Sequence, residues 1–170
     1  MAKLPTDAAY LVNAYADPVI VRIIGRATYL NCAPLSDFFR RLIAQGKRSF
    51  VIDFHECTAM DSTFLGLLAG AGMEIHKLTP PGTFVLTRLG ARNLELVRNL
   101  GIHRIMTVDA GDFQLNFDGP KEQLQESAKT DIENARMILT AHENLVAVDR
   151  ANEAKFQDVI LFLKGQIGNG

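Results

Sequence analysis

The sequence predicts an α/β layer fold with a mixed or mostly parallel sheet, followed by a helical C-terminal segment. Three observations predict it. Short β-branched apolar runs alternate with amphipathic helical stripes through about the first 110 residues. Glycine and proline stand at the joints between these runs. Beyond residue 120 the apolar spacing is helical to the end.

The elements follow in order. Residues 10–13 predict a short strand, joined through Ala16-Asp17-Pro18 to a well-buried strand over 18–25, PVIVRIIG. Leu35, Phe38, Phe39, Leu42 and Ile43 recur on one helical face, with Pro34 suited to the first turn and Gly46 to the C-terminal cap. A second buried strand spans 50–54, FVIDF. Asp61-Ser62 then precedes the stripe Phe64, Leu67, Leu68, Ala71 and Ile75. Both Asp and Ser are good N-caps, so a helix begins at this pair. Gly66, Ala69, Gly70 and Gly72 thin that helix on one side. The small side costs propensity unless the helix lies very close to a sheet or a partner. Pro80-Pro81-Gly82 breaks the chain before a strand over 83–87. A short helix over 91–100 turns Leu94, Val97 and Leu100 inward and stops at Gly101, and a last strand occupies 105–108.

Residues 111–120 are polar and carry Gly and Asp, which divides the chain into a domain over 1–113 and an extension over 114–170. In the extension, Leu124, Ala128, Ile132, Ala135 and Leu139 form one stripe. Leu145, Val148, Phe156, Val159, Ile160 and Leu163 form another. Thr140 and Glu143 have capping-box spacing and place a helix boundary between the two. Residues 1–113 hold 12 basic and 10 acidic side chains, and residues 114–170 hold 6 and 9, so the segments carry +2 and -3.

Composition excludes several classes. The chain of 170 residues is 48% apolar and 22% charged, which is globular, and it is long enough to hold a core without metal or disulfide. A net charge of -1 argues against a dedicated nucleic-acid binder. Cys32 and Cys57 form no CxxC, so neither a zinc site nor a redox pair is expected. The longest uncharged apolar run, 64–73, is about half of a membrane span. No signal-peptide pattern follows Met1, and the expectation is a soluble cytoplasmic protein.

Enzymatic motifs fail on their mechanics. Gly70-Ala71-Gly72 matches half of a dinucleotide fingerprint, but Ile75 fills the third glycine position and the run lies inside a helix rather than in a strand–helix turn. No Walker lysine follows a Gly-rich loop. Ser62 has Asp61, His55 and Asp53 nearby in sequence but no GxSxG elbow, and the Asp53, His55, Glu56, Asp61 group lacks HExxH spacing. His76, His103 and His142 are isolated and read as surface or capping histidines. No catalytic residue, metal or cofactor is therefore expected. Ser62 keeps two readings. It is a helix cap worth about 1 kcal/mol, or a phosphoacceptor whose phosphate would meet the amides and dipole of a helix N-terminus.

The run over 50–68, FVIDFHECTAMDSTFLGLL, resembles the signature of STAS domains, the family of bacterial anti-sigma-factor antagonists. Ile23-Ile24-Gly25-Arg26 resembles that family's strand end and turn. Residues 94–105, LELVRNLGIHRI, resemble its late helix, glycine and final strand, so the likeness spans about residues 9–113. The resemblance implies a STAS-like mixed sheet with packed helices and a regulator that is not an enzyme. By that likeness Ser62 is the phosphorylated residue, and Asp61, Ser62, Thr63, Phe64 and Gly66 meet a partner. The implied partner is an anti-sigma factor with serine kinase activity. The unphosphorylated protein captures it and frees a sigma factor, and a metal-dependent phosphatase of the PP2C type resets the switch. No direct nucleic-acid or membrane contact is implied.

The sequence departs from the family pattern in three places. The family often reads Asp-Ser-Ser-Gly-Leu-Gly, whereas Thr63-Phe64-Leu65-Gly66 follow here; Phe64 replaces a small residue and Thr63 adds a hydroxyl. After Gly25 the turn is Ala27-Thr28-Tyr29-Leu30, where the family often carries an acidic residue. The helical segment over 120–164 exceeds the family's short C-terminal helix. Its stripes need a surface, either the domain itself, which is the expectation, or a second copy in a homodimer. STAS-like domains also serve as adaptor subunits of lipid or solute transport complexes without a phospho-switch, and this is the alternative function.

Overall fold

The β-branched run 19–27 and the longer run 49–60 pair in parallel at the centre of a six-stranded sheet. The computed structural model describes residues 9–109, 119, 121–126 and 128–168. Its strands are β1 (Ala9–Asn13), β2 (Val19–Ala27), β3 (Ser49–Met60), β4 (Thr83–Thr87), β5 (Thr107–Val108) and β6 (Glu122–Gln123), in spatial order β5-β4-β3-β2-β1-β6. β2 to β5 run parallel, and β1 and β6 are antiparallel to their neighbours, so the sheet is mixed. The helices are α1 (Ala33–Ala44), α2 (Ser62–Lys77), α3 (Ala91–Asn99), α4 (Asp131–Val148) and α5 (Asn152–Gly168).

Alternation along the strands separates two faces. Val19, Val21, Ile23, Phe50, Ile52, Phe54, Phe84 and Leu86 share the core with the helices. The Phe39 ring meets Phe50 at 5.6 Å and Phe84 at 5.5 Å, both edge-on, which fixes α1 over the sheet. The other face carries Ile20, Arg22, Val51 and Asp53. The α1 stripe is buried at Leu35, Phe38, Phe39 and Leu42, as its spacing predicts. Val97 and Leu100 are buried as well, and Gly101 ends the turn with φ at 77°, a left-handed conformation that favours glycine.

Several boundaries differ from the sequence reading. β3 extends six residues past the predicted 50–54 to Met60, because parallel pairing with β2 continues through two register shifts. The predicted strand over 105–108 keeps only Thr107–Val108, since Ile102–Arg104 tighten into a 3-10 turn. The stripe from Leu124 to Leu139 is not one helix: Glu122–Gln123 join β1 as an edge strand, and α4 starts at Asp131. The capping box is Thr130 with Glu133, not Thr140 with Glu143. The Thr130 hydroxyl accepts from the Glu133 amide at 3.1 Å, and the Glu133 carboxylate accepts from the Thr130 amide at 2.8 Å. Thr140 lies inside α4, and the break falls at Asp149, whose carboxylate accepts from the Ala151 amide at 3.0 Å. The predicted boundary over 111–120 lies almost wholly outside the described residues. Among the described residues no helix is long and apolar enough to cross a membrane.

Candidate functional site

The end of β3 delivers Asp61 and Ser62 to the start of α2. Asp61 is extended, with φ at -112° and ψ at 176°, and its carboxylate accepts from the Phe64 amide at 2.9 Å. It is therefore the N-cap. Its second oxygen accepts from the Tyr29 amide at 2.8 Å, and its own amide donates to Ala27 at 3.2 Å. One carboxylate thus ties the loop after β2 to the first turn of α2. Asn31 stiffens the same loop, accepting from the Tyr10 hydroxyl and the Thr28 amide and donating to the Arg26 carbonyl.

With the cap taken by Asp61, Ser62 becomes the first helical residue and its hydroxyl is released for another partner. That partner is His142 on α4, whose Nε2 lies 2.9 Å from Ser62 Oγ. His142 Nδ1 is 2.8 Å from the Ile138 carbonyl, which can only accept, so Nδ1 carries a proton and, in the neutral ring, Nε2 accepts from the serine hydroxyl. The Phe156 ring stands edge-on to the imidazole at 5.0 Å, and His142 is buried. The surface or capping reading holds for His76 and His103, which are exposed, and fails for His142. Sequence did hold a signal for it. Ala135, Ile138, His142 and Leu145 share one helical face, so His142 falls on an apolar stripe.

The remaining predicted contact residues are turned inward. Phe64 is fully buried, stacked with Tyr10 at 6.4 Å and edge-on to Phe54 at 6.4 Å, and its large ring fills the core. Thr63 is buried beside it. Gly66 lies under Ala141, and its carbonyl accepts from Asn144 at 3.2 Å. Thr63, Phe64 and Gly66 are interior positions, while Asp61 and Ser62 keep partial exposure. Tyr29 and Leu30, beside Asp61, are the exposed apolar side chains of this region.

The other acidic group resolves differently. Asp53 is fully buried on the far face of the sheet, bonded to Arg88 at 2.7 and 2.9 Å and to Arg22 at 3.0 Å. Burial pushes its carboxyl upward, but hydrogen bonds from the Arg88 side chain, the His55 amide and Arg22 outweigh this and leave it below its usual range. Arg88 holds φ at 58° while making this contact. His55 and Glu56 are exposed, and among the described residues no three His, Cys, Asp or Glu side chains gather as a metal site would require. A cleft of about 650 Å³ runs between α1, α2 and α4, lined by Ser36, Asp37, Gly70, Lys77 and Asn134 among others, and does not reach Ser62.

This strand–turn–helix arrangement agrees with the comparisons. The family model described as "Mlab, STAS domain" matches residues 11–108, and the chain belongs to the STAS domain family. An anti-sigma factor antagonist from Mycobacterium paratuberculosis is similar in structure, with a TM-score of 0.54 at 19% identity over 65% of this chain and 92% of its own. The anti-sigma factor antagonist SpoIIAA in its unphosphorylated form gives 0.51 at 18% identity, covering 61% of this chain and 89% of its own. The Bacillus cell fate determinant SpoIIAA in the phosphorylated form gives 0.50 at 18%, covering 60% and 92%. At these identities the likeness is one of fold. No curated protein matches the chain. The family match ends at residue 108, so α4 and α5 lie outside it.

Proposed function

We propose that the chain is an anti-sigma-factor antagonist, a binding regulator without catalysis of its own, switched by phosphorylation of Ser62. Its domain over 1–113 carries the switch, and 114–170 is an appended helical segment. The observation that carries the reading is the position of Ser62, first in α2 directly after the Asp61 cap, in a STAS fold. The partner is an anti-sigma factor with serine kinase activity. The serine oxygen attacks the γ-phosphorus of ATP, ADP leaves, and the hydroxyl proton passes to the kinase site. The product carries about 1.5 to 2 negative charges at pH 7. The helix N-terminus tolerates that anion. A docked interface does not, because an ion buried without a partner costs several kcal/mol, or about a hundredfold or more in affinity. A PP2C-type phosphatase resets the switch.

Incubation with the anti-sigma factor kinase of the same organism and Mg-ATP is expected to add one phosphate, located on Ser62 by mass spectrometry. Ser62→Ala is expected to bind the kinase constitutively and Ser62→Asp weakly. Phosphate on Thr63 alone, or no difference between the two variants, refutes the assignment. The alternative, an adaptor subunit of a transport complex with no phospho-switch, draws support from the Ser62–His142 bond, which occupies the hydroxyl. Co-purification with a transporter ATPase rather than a kinase selects it.

A further inference from the structure

We propose that the hairpin of α4 and α5 is a removable cover over the Ser62 end of α2, latched by the Ser62–His142 hydrogen bond, and that a protein partner reaches Ser62 only when the hairpin lifts. The identity of that partner rests on the antagonist reading; the cover itself does not.

Four observations carry it. The Ser62 hydroxyl is committed to His142, whose ring is fixed by the Ile138 carbonyl and backed by Phe156, so the side of Ser62 facing α4 is filled by the chain itself. α4 crosses α2 at backbone distance, with Ala141 over Gly66 and Asn144 over Gly70, which no docked protein could share. The family match ends before this hairpin, and strands β1 to β5 with their connecting helices are complete without it.

The fourth observation is the composition of the contact. Apart from Leu145 and Leu163, the buried residues of α4 and α5 are small or polar, Ala135, Ala141, His142 and Asn152, with Met137, Val148 and Phe156 partly buried against the core. Much of the hold is polar. Asn152 donates to the Leu100 carbonyl at 2.9 Å, Lys155 to the Asn99 carbonyl at 2.9 Å, and Arg104 pairs with Asp149 at 3.3 Å. Beside α1 the hairpin stands off and leaves the open cleft. Leu145 reaches the main core, but around it the contact is mixed in this way, as interfaces between domains are. The aromatic core under α1 and α2 has a different character, and the hairpin is therefore the first part to open.

The test uses the full chain throughout. His142→Ala and Asn152→Ala each loosen the hairpin. The pair Gly70→Cys with Asn144→Cys, facing each other at the crossing, locks it when oxidised. Amide exchange is read by mass spectrometry over 61–66, over 135–148 and, as a core reference, over 50–54. The loosened variants are expected to exchange about tenfold faster over 61–66 and 135–148 together, as the loss of one buried hydrogen bond implies, with 50–54 unchanged. The oxidised lock is expected to slow both segments, and reductant to restore them. If 135–148 exchanges only together with 50–54, the hairpin is part of the core and the proposal falls. It falls equally if 61–66 is unmoved when α4 loosens. With the anti-sigma factor kinase and Mg-ATP, Ser62 is expected to take phosphate about tenfold faster in His142→Ala than in the parent chain, and not at all in the oxidised lock. Equal rates in locked and loosened proteins overturn the cover. If no variant takes phosphate while exchange shows the two segments opening together, the antagonist reading falls and the cover stands.

Discussion

Replacing Gly66 with alanine tests how closely α4 lies on α2. A Cβ at Gly66 would stand 2.8 Å from the Ala141 Cα and 2.5 Å from its carbonyl carbon, with the carbonyl oxygen nearer still. Carbon contacts relax at about 3.5–4.0 Å, so α4 must retreat by about 1 Å, and a gap of that size forfeits about a quarter to a half of each dispersion well along the crossing. The bond from Asn144 to the Gly66 carbonyl, already 3.2 Å, is lost on the same movement. Alanine returns about 1 kcal/mol of helix propensity. Overpacking costs about 1–3 kcal/mol, and because the obstacle here is backbone, which cannot turn aside, the upper part of that range applies. The expected net loss is about 1–2 kcal/mol, a fall of about 2–8 °C in Tm for a chain of this length. Thermal denaturation followed by circular dichroism measures it. Gly70→Ala is the control, because its new Cβ meets only the end of the Asn144 side chain, which can rotate away. A Gly66→Ala protein as stable as the parent, or more stable, would mean that α4 does not press on α2, and the reasoning would fail.

Two further predictions concern the interior. Asp53→Asn removes the carboxylate that Arg22 and Arg88 both face and is expected to cost about 3 kcal/mol in denaturant unfolding. Because the folded carboxyl lies below its usual value, its contribution is full above about pH 4 and is lost as pH falls through the folded value, so the parent should lose stability more steeply in acid than Asp53→Asn; parallel acid limbs would contradict this. Burial pushes the Cys32 thiol up to about 12 and the Cys57 thiol up to about 11, so neither should react with iodoacetamide at pH 8 until denaturant is added; alkylation of the native protein, seen by intact mass, would contradict their burial.

What could be read in the sequence is what local chemistry decides. The α1 stripe is buried where a 3.6-residue period puts it, β4 occupies Thr83–Thr87 as its β-branched run predicts, and Asp61-Ser62 opens a helix because a carboxylate at that point satisfies an amide three residues on. The small residues of α2 also announced a close approach before its partner was visible. Tertiary structure decided the rest. Thr140 and Glu143 have capping-box spacing but lie inside α4, and the box forms at Thr130 and Glu133, where the helix starts. Glu122–Gln123 became a strand because β1 offered an open edge. Phe64 went into the core because Tyr10 and Phe54 left a place for its ring. The candidate site divides along the same line. Ser62 and its cap are neighbours in the chain and can be seen in a short window of sequence. His142 lies 80 residues further on, and only the packing of α4 across Gly66 brings its imidazole to the serine hydroxyl.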